Sequence, residues 1–253
     1  MKMDFKGFQL LPVLLINLWV YPLLVLMTLL GIAIFPVAFL CFHLLTDWSP
    51  QRIMQFFIWV YGRGWLLIIA PFVRVRREWR QPSDFGTPSV IILNHLSFFD
   101  TFCMALMPFF DMTFAVRSWP FRMPWYGFFM RLAGYLNVEQ MPWGEVCTAS
   151  RQVLAQGGHL IFFPEGHRSR DGELQRFYAG AFKLAREMDC PIIPVCIDGT
   201  DRLLPPGRRW LRPASIRLRA LAAVYPRQFA GDSELRRTVK AMMAGELAIM
   251  RRG

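Results

Sequence analysis

Between Lys6 and Asp47 the chain runs for 40 residues without a Lys, Arg, Asp or Glu, and His43 is its only side chain that titrates near neutrality. One bilayer crossing takes about 20 apolar residues. The run is long enough to cross twice or to fold as a hairpin in one leaflet. Pro12, Pro22, Gly31 and Pro36 are places to bend, and Trp19 and Tyr21 are candidates for headgroup-level anchors. A soluble core seldom supplies so long an uncharged stretch, and the apolar core of a cleavable signal peptide is only about 7–15 residues. The stretch reads as a retained anchor. A second apolar stretch, Ile53 to Val73, carries Trp59, Tyr61 and Trp65 and is broken by Arg63 between two glycines, which gives it an interfacial character. We divide the chain into a membrane-anchoring helical segment, residues 1–72, and a working domain, residues 73–253.

Charge narrows the partners. The chain has 29 Lys+Arg against 18 Asp+Glu, a formal +11, and 25 of the 29 are Arg. Such a balance favours an anionic partner. No recognition motif for nucleic acid accompanies it, so membrane lipids are expected and nucleic acid is not. Almost every Arg follows the anchor, while Lys2 and Lys6 precede it. An anchor that returns to its starting face satisfies both ends, so the expected location is the inner (cytoplasmic) membrane with the working domain facing the cytoplasm. The five Cys form no CxxC or metal-ligand spacing, in keeping with a reducing compartment.

Beyond Val73 short apolar runs alternate with helical patterns. Ser89–Leu93, His159–Phe163, Pro191–Ile197 and Ile216–Leu221 read as strands, the first three too apolar for a sheet with one wet face. Ser97–Leu106, Gly144–Leu154 and Ala179–Met188 read as helices, and Glu234–Gly253 as a basic amphipathic one. This alternation predicts an α/β core with helices on the sheet. The chemistry gathers where strands end. Asn94-His95-Leu96-Ser97-Phe98-Phe99-Asp100 follows the first strand, and a His with an Asp five residues on can set imidazole and carboxylate within hydrogen-bond reach. The carboxylate then fixes the tautomer and stabilises the imidazolium of a general base. Phe163-Pro-Glu-Gly-His-Arg-Ser-Arg170 follows the second, placing Glu165, Arg168 and Arg170 at a turn where guanidinium can grip phosphate.

Together these elements resemble the glycerolipid acyltransferase family, typified by bacterial 1-acyl-sn-glycerol-3-phosphate acyltransferases. Asn94-His95 to Asp100 resembles the family's first block, Phe163-Pro-Glu-Gly its third, and Pro191-Ile-Ile-Pro-Val-Cys-Ile with Gly199-Thr200 its fourth. The resemblance implies a twisted, mostly parallel sheet flanked by helices, preceded by an N-terminal apolar two-helix membrane motif. It implies His95 as general base with Asp100 as its partner. Its substrate-binding set is Asn94, Ser97, Glu165, Gly166, Arg168, Ser169 and Pro194, with Pro194 on the acyl-donor side. No metal or redox cofactor is implied; acyl-CoA or acyl carrier protein is the co-substrate.

The acceptor side departs from the family's pattern. In Gly134-Tyr-Leu-Asn-Val-Glu139-Gln140 a Gln stands where the second block normally has Arg, and Phe177-Tyr178-Ala179-Gly180 lacks the two lysines that commonly follow the third. A neutral amide loses the charge-assisted bond to phosphate. The expected reaction is direct acyl transfer from a thioester to the free hydroxyl of a lysophospholipid, with 1-acylglycerol-3-phosphate as acceptor. Another lyso-lipid acceptor such as a lyso-aminolipid, a hydrolase, or a non-catalytic membrane adaptor are the alternatives. The segment Arg117–Arg131 interleaves Arg with aromatics and suits an interfacial patch or an acyl-chain groove. A second basic concentration around Arg202, Arg208, Arg209 and Arg212 suits headgroups, the phosphates of CoA or an acidic carrier.

Overall fold

A computed structural model describes residues 6–78, 85–124 and 126–252; Lys2, Trp125 and Gly253, each part of a reading above, lie outside them. The uncharged run is one helix, α1 (Lys6–Leu45), with Pro12, Pro22 and Pro36 inside it. This corrects the expectation of a bend within the run. Each proline removes one backbone hydrogen bond, a loss the long apolar helix accommodates without ending. The turn comes at Asp47–Ser49, where Ser49 Oγ accepts from the Arg52 amide at 3.2 Å and Pro50 opens α2 (Pro50–Ile69). The two helices of the membrane-motif expectation are therefore α1 and α2.

They pack antiparallel along their length. Gly64 lies against the Met27 side chain, and the Phe35 and Phe57 rings meet edge-on at 5.6 Å. The other side of α2 is buried in the α/β domain, with Trp65 stacked on Phe102 at 4.4 Å. From α1, Ile16 and Val20 are fully buried in the same core, while Leu18, Val37, Leu44 and Leu45 stand open. At 1.5 Å per residue a helix of this length is about 60 Å long, twice the bilayer's hydrocarbon core. Its segment Leu10–Leu45 has a mean hydropathy of 2.7. An exposed apolar surface of that extent marks a membrane or protein contact.

The domain is built on a seven-stranded sheet: β1 (Val73–Glu78), β2 (Val90–Leu93), β3 (Met112–Val116), β4 (Leu136–Asn137), β5 (His159–Phe162), β6 (Ile192–Asp198) and β7 (Ala214–Ala220). Their order is β1-β7-β6-β2-β5-β3-β4, parallel throughout except for the β6–β7 pair. Strands β1, β3 and β4 go beyond the four expected. β1 reads Val-Arg-Val-Arg-Arg-Glu, so its charges masked a half-buried alternation. The interior strands are apolar throughout because both faces are covered. Ile91 and Leu93 of β2 join the core under α1 and α2, whereas Val90 and Ile92 join the core on the opposite face. That opposite layer comprises α6 (Trp143–Ala155), α7 (Gly180–Glu187) and α9 (Asp232–Arg252). Leu235, Val239, Met243, Leu247 and Met250 form the buried stripe of α9. On the α2 side lie the short α3 (Asp100–Cys103), α4 (Ser118–Phe121) and α5 (Tyr126–Leu132), and α8 (Thr200–Leu203) follows β6. The helix expected from Ser97 begins only at Asp100, the stretch before it wrapping the Asp100 carboxylate with the Leu96 and Ser97 amides.

His159 opens β5 and is buried, its Nδ1 2.9 Å from Ser89 Oγ and its ring stacked on Phe109 at 4.1 Å. Burial lowers its pKa from 6.5 to about 4. The folded protein holds this ring neutral while the unfolded chain protonates it at its ordinary pKa. Its contribution is therefore complete above pH 6.5 and is lost as pH falls to about 4, amounting to ~3 kcal/mol. The melting temperature should fall more steeply over that window than in His159→Phe. Equal slopes for the two proteins would refute this assignment.

Candidate active site

Strands β2, β5 and β6 are parallel neighbours and end at one edge, the edge at which open α/β sheets bind ligands. Asn94 prolongs the sheet one step past β2. Its Nδ2 donates to the Ile197 carbonyl and its Oδ1 accepts from the Ile197 amide, both at 2.8 Å. This side chain acts as a backbone extension and delivers His95 at a set height above the edge.

His95 Nδ1 lies 2.7 Å from Asp100 Oδ2. The carboxylate is fully buried, and the same oxygen accepts from the amides of Leu96 (2.6 Å) and Ser97 (2.8 Å). Oδ1 accepts from Thr200 Oγ1. The Asp100 carboxylate thus faces four donors. With Nδ1 turned to the carboxylate, Nε2 is the ring nitrogen left for chemistry. The imidazole is 17% exposed and lies on the Phe163 ring at 4.3 Å between centroids.

The loop after β5 is tied to this histidine by its backbone. Gly166, at φ +68°, closes a turn onto the Phe163 carbonyl. Glu165 is 1% exposed; its Oε1 accepts from the His95 amide and its Oε2 from the Gln175 amide, both at 2.8 Å. Burial raises its pKa against the pull of those two donors. The Ser169 amide donates to the His95 carbonyl at 2.7 Å. Arg168 is exposed at this edge with no partner among the described residues.

The expected residues therefore divide. His95, Asp100, Ser97, Glu165 and Ser169 come together in one hydrogen-bonded cluster, Asn94 adjoins it through Ile197, Gly166 turns the loop beside it, and Arg168 is exposed on that loop. Asn94, Ser97, Glu165 and Ser169 spend their side chains on protein groups and act as braces. Pro194 is not brought to the cluster. It pairs with Ile92 inside β6, and the alternation of the strand turns it toward the α9 layer. Thr200 joins the site through Asp100, and Arg117 stands at the same sheet edge. Thr200 follows Gly199, whose φ of +92° and closeness to the Ser215 carbonyl exclude any side chain there. Arg117 leaves β3 at the same edge, its Nε 2.5 Å from Glu139 Oε1. The fourth block already contained Thr200, and the basic aromatic segment contained Arg117. No spacing rule pointed either of them at the histidine.

Ser97 Oγ donates to the Leu204 carbonyl at 2.8 Å, and Cys103 is fully buried, its thiol pKa pushed well up by burial and the nearby Asp100 charge. Neither is poised as a nucleophile. Among the described residues no three His, Cys, Asp or Glu side chains converge as a metal-binding group.

A mostly parallel sheet with a His–Asp pair at its carboxyl edge and a Phe-Pro-Glu-Gly turn beside it defines an acyltransferase domain. The Acyltransferase family model matches residues 72–198, half of the chain, and the chain belongs to that family. It is similar to a chloroplastic 1-acyl-sn-glycerol-3-phosphate acyltransferase of Arabidopsis thaliana, with 32% identity over 55% of this chain and 40% of that protein. A Chlamydomonas reinhardtii 1-acyl-sn-glycerol-3-phosphate acyltransferase is also 32% identical, over 64% of this chain and 50% of that one. The chain thus spans about half the length of these curated relatives. The crystal structure of the Thermotoga maritima 1-acyl-sn-glycerophosphate acyltransferase superposes with a TM-score of 0.70, covering 90% of this chain and 95% of that chain. At 21% identity this last likeness concerns the fold.

Proposed function

We propose that this protein transfers a fatty acyl chain from an acyl thioester to the free hydroxyl of 1-acylglycerol-3-phosphate, giving phosphatidate, at the cytoplasmic face of the inner membrane. The observation that carries the reading is the His95 Nδ1–Asp100 Oδ2 contact of 2.7 Å with its buried, four-donor carboxylate. His95 Nε2 takes the proton of the acceptor hydroxyl as that oxygen bonds to the thioester carbonyl carbon. Collapse of the tetrahedral adduct breaks the C–S bond, and the imidazolium returns its proton to the departing thiolate. The engaged Ser97 and the buried Cys103 support direct transfer without an acyl-enzyme. The names of the curated relatives support the choice of acceptor. So does Arg117, a cation at the β3 exit held by Glu139, the residue next to Gln140. The exposed apolar face of α1 supports seating on a bilayer.

An assay of detergent-solubilised protein with palmitoyl thioester and a panel of lyso-lipids, read by mass spectrometry, tests this. Phosphatidate is the expected product. Arg168→Ala should raise the KM for lysophosphatidate about 10–100-fold with kcat largely kept, the loss of one charge-assisted contact. Free fatty acid alone would mean a hydrolase, and an unchanged KM would remove Arg168 from the acceptor site.

A further inference from the structure

A groove of about 490 Å³ opens beside the histidine on the β6–β7 side of the sheet, away from Arg117. Its inner wall is the loop after β5, with Ser169, Arg170 and Asp171; its outer wall is α8 and the segment 205–213, with Asp201, Arg202 and Arg212. Both walls are anchored to the first-block loop. His95 holds Ser169 by its carbonyl, and Ser97 Oγ donates to the Leu204 carbonyl. The outer wall is fastened a second time, to the membrane helix. Asn17 of α1 donates to the Leu211 carbonyl and accepts from the Leu211 amide, each at 2.9 Å, and Tyr21 donates to the Arg209 carbonyl.

We propose that this groove binds the phosphate-bearing nucleotide end of coenzyme A when it serves as acyl donor. The inference rests on the acyl-transfer reading above and names its donor. Three guanidiniums on three separate segments line the space, and each offers forked donors to phosphate oxygens. Arg202 is braced by Asp198 at 2.7 Å, while Arg170 and Arg212 have no side-chain partner among the described residues. The lining also carries two carboxylates, Asp171 and Asp201, and Asp171 Oδ1 accepts from Ser169 Oγ, the Glu173 amide and Gln175 Nε2. Asp201 supplies an acceptor for a ribose hydroxyl or adenine amino group, which a bare pantetheine phosphate lacks. The volume falls within the range of small-molecule sites and exceeds the needs of a single phosphate. The position also suits a two-substrate reaction. The acceptor's phosphate goes to the side of Arg117 and Arg168, and the donor's phosphates go to the other side of His95.

The test has a binding arm and a kinetic arm on the full chain in detergent. Calorimetric titration with free coenzyme A should show binding that weakens at least tenfold in the Arg170→Ala/Arg212→Ala variant and on removal of the 3′-phosphate (dephospho-coenzyme A). In turnover, the ratio of KM for palmitoyl-CoA to KM for palmitoyl-pantetheine should rise at least tenfold in that variant. An unchanged ratio, or a variant that loses affinity for palmitoyl carrier protein while keeping it for palmitoyl-CoA, overturns the proposal. Arginine-dependent coenzyme A binding with no acyl transfer to any lyso-lipid would uphold the groove and bring down the function proposed above. Because neither arginine has a side-chain partner, the variant should fold, and an unchanged melting temperature checks that it has.

Discussion

His95→Ala should lower acyl-transfer turnover by about 10²–10⁴-fold, the range spanned by a positioned general base. Among the described residues, the ring is the only group at the β2 exit with a nitrogen both supported by a carboxylate and open to the sheet edge. The backbone of the loop is held independently by Glu165, Asn94 and Ser169, through the His95 amide, the Ile197 peptide and the His95 carbonyl. Removing the imidazole therefore leaves the scaffold intact, and substrate KM should change little. Initial rates of phosphatidate formation, with melting temperature measured alongside, decide the matter. Turnover within tenfold of wild type would exclude His95 as the base.

Asp100→Asn should lower turnover by a similar factor, for a different reason. The amide oxygen can still accept from the Leu96 and Ser97 amides, so the loop folds. The negative charge that stabilises the imidazolium is gone, and the His95 tautomer is no longer imposed. Since Asp100 acts only through His95, the double variant His95→Ala/Asp100→Asn should be no slower than His95→Ala alone. Two residues of one catalytic unit are non-additive in this way. Multiplying losses in the double variant would mean that Asp100 contacts substrate directly. Asp100→Ala is the structural control. It leaves the two buried amides and Thr200 Oγ1 without an acceptor, at about 1–3 kcal/mol for each unsatisfied group, so it should melt well below Asp100→Asn.

The parts of this architecture that rest on local pattern were legible in the chain. Strands β2, β5 and β6 announce themselves as unbroken apolar runs, because a strand covered on both faces has no polar side to show. The His–Asp pair was legible because five residues across a strand exit and the first turn of α3 bring two side chains together without help from the rest of the fold. Strand β1 was not, since an edge strand rich in Arg has the composition of a solvated segment. The bend of the apolar segment was misplaced for a related reason. Proline disfavours a helix interior in water, but here it did not outweigh a long apolar helix packed against α2, and the Ser49-Pro50 capping signal carried the turn instead.

By itself the sequence determined the class of fold, the long apolar helix, the His95–Asp100 pair and the excess of arginine. Each is a property of neighbours within a few residues or of summed composition. Tertiary structure alone decided which polar groups of these motifs brace and which remain open. Glu165 and Asn94 read as substrate ligands until their oxygens are seen on the His95, Gln175 and Ile197 amides, while Pro194 proves to lie inside the sheet. It also decided that Thr200, 100 positions beyond Asp100, completes the carboxylate's partners, and that Asn17 of α1 fastens the wall of an arginine groove 194 positions away. Contacts of that separation form only when the sheet orders its strands out of sequence, and no short-range pattern records them.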